Sequence, residues 1–182
     1  MELSQGIFLF AVVVLTLIAM VSDLRTRTLP NWLTVSGFVI GVLFHVITGG
    51  WGGLGFAMGG FAVGFGILLL LWLIGGGGGG DVKLMGAVGA WLGPQMTLIV
   101  FLLSTMFAVM GSIAVLIYTS INRGFGHVQS KYVKPRKISL KSGATATLAD
   151  QAQLAQRRLM PYALPVALGT WLVLAWKVVQ GT

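Results

Sequence analysis

Long apolar runs separated by polar or glycine-rich connections set the pattern of this chain. The runs cover positions 7–21, 33–48, 54–74, 82–92, 96–118 and 161–179. A helix needs about 20 mostly apolar residues to cross the roughly 30 Å hydrocarbon core of a membrane. The pattern therefore predicts an all-α membrane protein with about six transmembrane helices.

The fourth run is too short to cross a membrane alone, because its 11 residues make only about 16 Å of helix. It follows six glycines at 75–80 and Asp81, and it ends at Gly93 and Pro94. Two interpretations stay open. Either the helix begins inside the glycine run, or Asp81 lies below the membrane surface, where irregular glycine backbone lines a water-accessible cavity.

Composition narrows the class of protein further. Hydrophobic residues make up 56% of the 182 positions and charged residues 9%, which excludes an ordinary soluble domain. Six spans leave no room for a separate soluble catalytic domain, so we expect one transmembrane domain over 1–182. The absence of cysteine excludes disulfides, thiolate nucleophiles and cysteine-rich zinc sites.

The basic residues predict the orientation in the membrane. Arg25 and Arg27 follow the first run, and most of the others lie in one long connection at about 119–159: Arg123, Lys131, Lys134, Arg136, Lys137, Lys141, Arg157 and Arg158. Cytoplasmic loops are enriched in such residues, so this basic loop is predicted to be cytoplasmic and both termini outside. We expect the loop to face anionic membrane lipids rather than nucleic acid, with 145–159 as a helix along the inner membrane face.

Only four acidic residues occur, and two of them predict chemistry. Glu2 is predicted outside and Asp150 lies in the basic loop, whereas Asp23 and Asp81 both fall at the cytoplasmic ends of predicted spans. A carboxylate near the bilayer centre costs about 2.5–3.5 kcal/mol, so both need a reason. Two close carboxylates share a proton and can activate water and protonate a leaving amine. This is aspartyl protease chemistry.

Structural roles for the same residues stay open. Asp81 is suited to cap an apolar helix, and Asp23 could cap a helix or pair with Arg25 or Arg27. Lys83 lies two residues from Asp81 and therefore on another helix face, where it is expected to reach the inner headgroups.

Other protease chemistries have weaker support. The sequence has no zinc-protease motif and only two histidines, His45 and His127. A nucleophilic dyad of His45 with Ser104 or Ser112 is conceivable, although no pattern singles it out. No metal and no cofactor are predicted.

Glycines of the third run occur in pairs at four-residue spacing. The pairs are Gly55 with Gly59 and Gly60 with Gly64. Small residues at this spacing allow membrane helices to approach closely. We therefore expect helix packing at these positions.

Two motifs resemble a known family. The segment from Asp23 through Arg25 and Arg27 to Leu29-Pro30-Asn31, and Gly78-Gly79-Gly80-Asp81-Val82-Lys83-Leu84, are similar to motifs of the type IV prepilin peptidases, membrane aspartyl proteases of the GxGD class. The resemblance implies catalysis by Asp23 and Asp81. It implies supporting or substrate-binding roles for Gly78, Gly80, Lys83, Arg25, Arg27, Pro30 and Asn31.

The resemblance also implies an activity and a place. Members of this family remove a short basic leader from pilin-like precursors, typically after a glycine, at the cytoplasmic face of the bacterial inner membrane. Larger members carry a cysteine-containing insertion and also methylate the new amino terminus. This sequence has no cysteine, so it resembles the short tight-adherence type, without expected methyltransferase activity.

Two other classes of function compete with the protease. A small proton- or cation-coupled transporter or channel could use Asp23 and Asp81 as a relay beside a broken helix. The lack of an internal sequence repeat counts against it. A purely structural subunit of a secretion machine would leave two costly aspartates without a purpose.

Overall fold

The fold is entirely helical in the computed structural model, which describes residues 3–74, 78–123 and 162–180. Four helices form: α1 (Leu3–Thr26), α2 (Asn31–Leu73), α3 (Gly79–Arg123) and α4 (Ala163–Gln180). Each is long and apolar enough to cross a membrane, which confirms the predicted class. Most of the basic loop, including the expected helix at 145–159, lies outside the described residues.

Helix α2 reverses direction at Gly50. The φ of Gly50 is 57°, a left-handed value that glycine adopts with little strain. The rings of Phe38 and Phe61 stand 4.7 Å apart, whereas 23 residues of straight helix would separate them by about 34 Å. The two halves of α2 therefore form an antiparallel hairpin.

Helix α3 reverses in the same way at Gly93. Its φ is 75°, and Pro94 follows. A Cβ atom on Gly64 would meet the carbonyl oxygen of Met85 and lie 3.1 Å from Cγ2 of Thr97, two residues that a straight helix would place about 18 Å apart. Both reversals fall at interruptions of the apolar pattern. Six helical segments result among the described residues, while six membrane crossings and the orientation of the termini stay predictions.

The first half of α3, residues 79–92, is the central helix of the fold. Between positions 81 and 93 only Lys83 is exposed, and the other residues are buried. This half is about 21 Å long. Since the helix begins at Gly79, the first of the two interpretations of the glycine run is confirmed.

Backbone-to-backbone packing joins the central helix to the second half of α2. A Cβ atom on Gly60 would collide with the carbonyl oxygen of Gly89 and lie 2.8 Å from Cα of Gly93. The predicted role of Gly60 and Gly64 in close helix packing is therefore confirmed. The same prediction is wrong for Gly55, which has no atom within 4 Å of a Cβ position.

The helices contribute to two compact units. One unit comprises Met1–Phe107 with Pro161–Thr182 and holds the buried core, which includes Val12, Leu33, Leu84, Met85, Val88, Trp91, Val100 and Val166. The end of α3 from Ala108 belongs to the other unit.

Candidate active site

Asp23 lies in the last turn of α1 and is only 7% exposed. Its Oδ2 accepts a hydrogen bond of 3.0 Å from the backbone N–H of Ala163, the first residue of α4. The first N–H groups of a helix have no partner within that helix, so Asp23 caps α4 from another part of the chain. The capping alternative for Asp23 is therefore confirmed, and the helix that it caps is α4.

Asp81 lies in the first turn of α3 and is also 7% exposed. Its own N–H donates to the carbonyl oxygen of Gly78 at 3.0 Å, and the N–H of Val82 reaches the same oxygen at 3.4 Å. Gly78 therefore precedes the helix at the capping position. The interpretation of Asp81 as the N-cap residue is wrong, although a carboxylate in the first turn still interacts favourably with the helix dipole.

The segment after Asp23 packs against residues on both sides of Asp81 in the sequence. The ammonium group of Lys83 donates to Oδ1 of Asn31 at 2.9 Å. A Cβ atom on Gly80 would lie 3.4 Å from Cβ of Leu29. The two motifs therefore meet, and both aspartates lie at the same end of the helices.

The connection between α1 and α2 is a tight turn. Arg27 has a left-handed φ of 52°, and its N–H donates to the carbonyl oxygen of Asp23 at 2.9 Å. The hydroxyl of Ser22 donates to the carbonyl oxygen of Thr28 at 3.1 Å. Pro30 is extended, with φ −68° and ψ 135°, immediately before α2. These contacts hold the residues after Asp23 close to the end of α1.

Two arginines border the same end. Arg25, in the last turn of α1, and Arg27 are both exposed. Together with Lys83 they make this end of the described helices basic. An acidic or polar ligand approaching Asp23 and Asp81 would meet these cations first.

The contacts of His45 and Ser104 differ from those of a nucleophilic dyad. Nε2 of His45 lies 2.8 Å from the carbonyl oxygen of Trp91, so it carries the hydrogen and donates to that oxygen. The buried hydroxyl of Ser104 donates to the carbonyl oxygen of Phe101 at 2.9 Å. An activated serine would instead donate to the imidazole. These contacts give no support to the dyad of His45 with Ser104.

Sequence reasoning missed three contacts, two of them at this site and one elsewhere in the described helices. They are the N–H of Ala163 bonded to Asp23, the bond between Lys83 and Asn31, and the bond between His45 and the Trp91 carbonyl. The first and the third each use a backbone group, which leaves no side-chain signal. The second contact joins one residue from each of the two motifs. The presence of both motifs in one sequence could therefore have predicted that they meet.

The remaining chemistry centres on two buried carboxylates. Asp23 and Asp81 are the only acidic residues within positions 3–74, 78–123 and 162–180. Carboxylates can move protons to and from water, an amide nitrogen and a carbonyl oxygen. Such a pair at one end of apolar helices is suited to acid–base chemistry.

Comparison with known proteins identifies the family. The model of the type IV leader peptidase family matches residues 9–116, which include both aspartates and both glycine reversals. No curated protein and no solved structure matches the chain. The family match favours a protease over a transporter or channel. Because it spans more than half of the sequence, this chain belongs to the type IV leader peptidase family.

Proposed function

We propose that this protein is a membrane aspartyl endopeptidase that removes the short basic leader from pilin-like precursors. The observation that carries the proposal is the burial of Asp23 and Asp81 to 7% exposure at one end of otherwise apolar helices. Burying a carboxylate is costly unless it is bonded or used. Membership in a leader peptidase family supplies the reaction.

The proposed mechanism uses one protonated and one ionised carboxyl group. The ionised group takes a proton from water while the water oxygen forms a bond to the scissile carbonyl carbon. The protonated group then gives its proton to the leaving nitrogen as the C–N bond breaks. The products are a carboxylic acid and an amine, and the pair returns to sharing one proton.

The hydrogen bond to Asp23 helps to orient the pair. The N–H of Ala163 donates to Oδ2 of Asp23 at 3.0 Å, which holds one oxygen of the carboxyl group in place. Positioned groups accelerate reactions because orientation has been set before the substrate arrives. Asp81 sits at the start of α3 beside glycines, whose backbone can adapt to an extended substrate.

The proposed substrate has an apolar helix in the bilayer and a scissile bond at the cytoplasmic surface of a bacterial inner membrane. A peptide bond inside a helix is shielded by its own turn, so the segment must unwind before it is cut. Glycine before the bond lowers the cost of unwinding. We therefore propose cleavage after a small residue, most often glycine, ahead of about 20 apolar residues. The exposed Arg25 and Arg27 would meet an acidic residue beyond the bond.

The central test replaces each aspartate by asparagine. Asp23→Asn and Asp81→Asn keep the shape of the side chain but cannot transfer the proton, so each should abolish cleavage of a pilin-like precursor by the detergent-solubilised protein. Ser104→Ala is the matched control, because it removes a buried hydroxyl that the proposal does not use, and it should cleave normally. Full activity in either asparagine variant would refute the aspartyl mechanism.

A precursor panel tests the substrate separately. Replacing the glycine before the scissile bond with valine should block processing, and mass spectrometry should place the wild-type cut directly after that glycine. A chelator should leave the rate unchanged, because the mechanism needs no metal. Cleavage deep inside the apolar helix would contradict the proposed substrate while leaving the aspartyl chemistry intact.

A further inference from the structure

A cavity of about 220 Å³ opens at the end of the helices away from the aspartates. We call it the distal cavity; its lining includes Ser4, Gln5, Phe8, His45, Thr48 and Lys177. Ser4 lies 19 residues before Asp23 on the same helix, a separation of about 29 Å. The distal cavity is therefore remote from the candidate active site, and the proposed protease mechanism does not use it.

The distal cavity is lined by one basic side chain, that of Lys177. In the described part of the unit that holds the core, the other basic residues, Arg25, Arg27 and Lys83, lie at the aspartate end. Lys177 is thus the only basic side chain of that part away from the aspartates. Both described carboxylates also lie at the aspartate end, so this cation faces no described acidic residue.

The ammonium group of Lys177 is held at the cavity rather than directed away from it. Its Nζ lies 5.5 Å from the centre of the Phe8 ring, within the range of a cation–π interaction. Because Lys177 already occupies this ring, the cavity is poorly suited to a second cation such as the amine of a zwitterionic lipid. The hydroxyl of Ser4 and the amide of Gln5 add donors for an anion.

An apolar groove continues from the distal cavity. We call it the tail groove; it has a volume of about 650 Å³ and is lined by Leu3, Ser4, Ile7, Phe44, Ile47 and Thr48. Ser4, Phe44 and Thr48 line both spaces. Leu3 and Ile47 are more than 80% exposed, so the groove is open along this apolar side. A cationic pocket joined to an apolar groove matches a ligand with an anionic head and a hydrocarbon tail.

We propose that the distal cavity and tail groove together bind one phospholipid with a net negative headgroup. The lipid phosphate would contact the Lys177 ammonium group and the donors of Ser4 and Gln5. An acyl chain would lie along Leu3, Ile7 and Ile47. A free phosphate ion could bind Lys177 in the same way as the lipid headgroup, but it would leave the tail groove empty. The experiment therefore has two arms, one with lipids and one with inorganic phosphate.

The first arm compares headgroups at constant acyl chains. Purified protein in detergent is mixed with equal amounts of phosphatidylglycerol and phosphatidylcholine, and bound lipid is counted by native mass spectrometry. Wild-type protein should retain the anionic lipid about fivefold more, because one lysine near an anionic headgroup contributes about that much. Lys177→Gln should remove the preference, whereas Lys177→Arg should keep it.

Control variants distinguish lipid binding at the distal cavity from a general attraction of anionic lipid to a basic protein. Lys83→Gln makes the same change at the opposite end and should leave the preference unchanged. Ser4→Phe fills the junction of cavity and groove and should reduce binding of both lipids. Circular dichroism and thermal unfolding verify that each variant is folded. A preference that survives in Lys177→Gln, or that Lys83→Gln removes equally, would overturn the proposal.

The second arm tests a soluble anion. Inorganic phosphate at millimolar concentration should raise the melting temperature of the wild-type protein much less than phosphatidylglycerol does. If phosphate gives the same Lys177-dependent stabilisation as the lipid, the site takes a free anion and the lipid proposal is wrong. None of these measurements uses proteolysis, so they stand apart from the proposed peptidase activity.

Discussion

The two halves of α3 are both apolar, but they have different neighbours. Residues 81–93 are buried except for Lys83, whereas the half that follows Pro94 exposes Leu98, Leu102 and Met106 along one face. The first half contains six glycines and alanines between 79 and 92, and positions 94–107 contain none. Small residues therefore distinguish the half that is enclosed by protein from the half that exposes an apolar face.

The largest expected effect comes from enlarging a glycine at the central packing. Gly60→Ala places a Cβ atom against the backbone of Gly89, which cannot give way as a flexible side chain would. We expect a loss of about 3 kcal/mol in the free energy of unfolding, measured by denaturant titration in detergent. Gly66→Ala is the matched control on the same half of α2, where a Cβ atom meets nothing within 4 Å. Equal stability of the two variants would contradict the packing.

A smaller loss is expected where Trp91 anchors the central helix to α2. Its indole N–H donates to the carbonyl oxygen of Gly37 at 2.8 Å in a buried position. Trp91→Phe removes this hydrogen bond, while the oxygen keeps its place in the helix ladder, and the change should cost about 1 kcal/mol. Trp51→Phe, at a position that is 88% exposed, should change thermal stability little. If both substitutions lower the stability equally, the buried hydrogen bond of Trp91 does not stabilise the fold.

The contact between Asp23 and α4 can be broken without removing the carboxylate. Ala163→Pro deletes the N–H donor at the first helical position, where proline fits a helix well. We expect turnover to fall about tenfold, because a hydrogen bond to a charged group is worth about 1.5 kcal/mol or more. Ala163→Ser keeps the N–H and should retain turnover. A proline variant as active as the serine variant would show that the bond does not position Asp23.

The smallest effect on stability is expected beside Asp81. A Cβ atom on Gly80 would make an ordinary contact of 3.4 Å with Leu29, so Gly80→Ala should leave the melting temperature nearly unchanged. Turnover of the precursor should still fall about threefold, because alanine restricts the backbone next to Asp81. Melting temperature and turnover are measured on the same preparation. Unchanged turnover would show that Gly80 only connects the glycine run to the helix and has no role in cleavage.

The sequence pattern predicted the helices and the places where they reverse, because Gly50 and Gly93 interrupt apolar runs at positions that favour a turn. It also predicted that Asp23 and Asp81 belong to the same end, and the contact of Lys83 with Asn31 supports this. The cap on Asp23 could not be predicted. Ala163 is 140 residues away and uses only its backbone N–H, a group that every non-proline residue carries.

Because the central helix is enclosed by protein, its length does not have to match the thickness of the membrane. A lipid-facing helix must match the thickness of the hydrocarbon core, and it tilts or deforms the bilayer when it does not. The half of α3 that carries Asp81 is buried by its neighbours and has no such requirement. The helix from Asp81 to the reversal at Gly93 is about 18 Å long and fixes the distance of Asp81 from that reversal. The surrounding helices can therefore adjust to thicker or thinner membranes around a constant core.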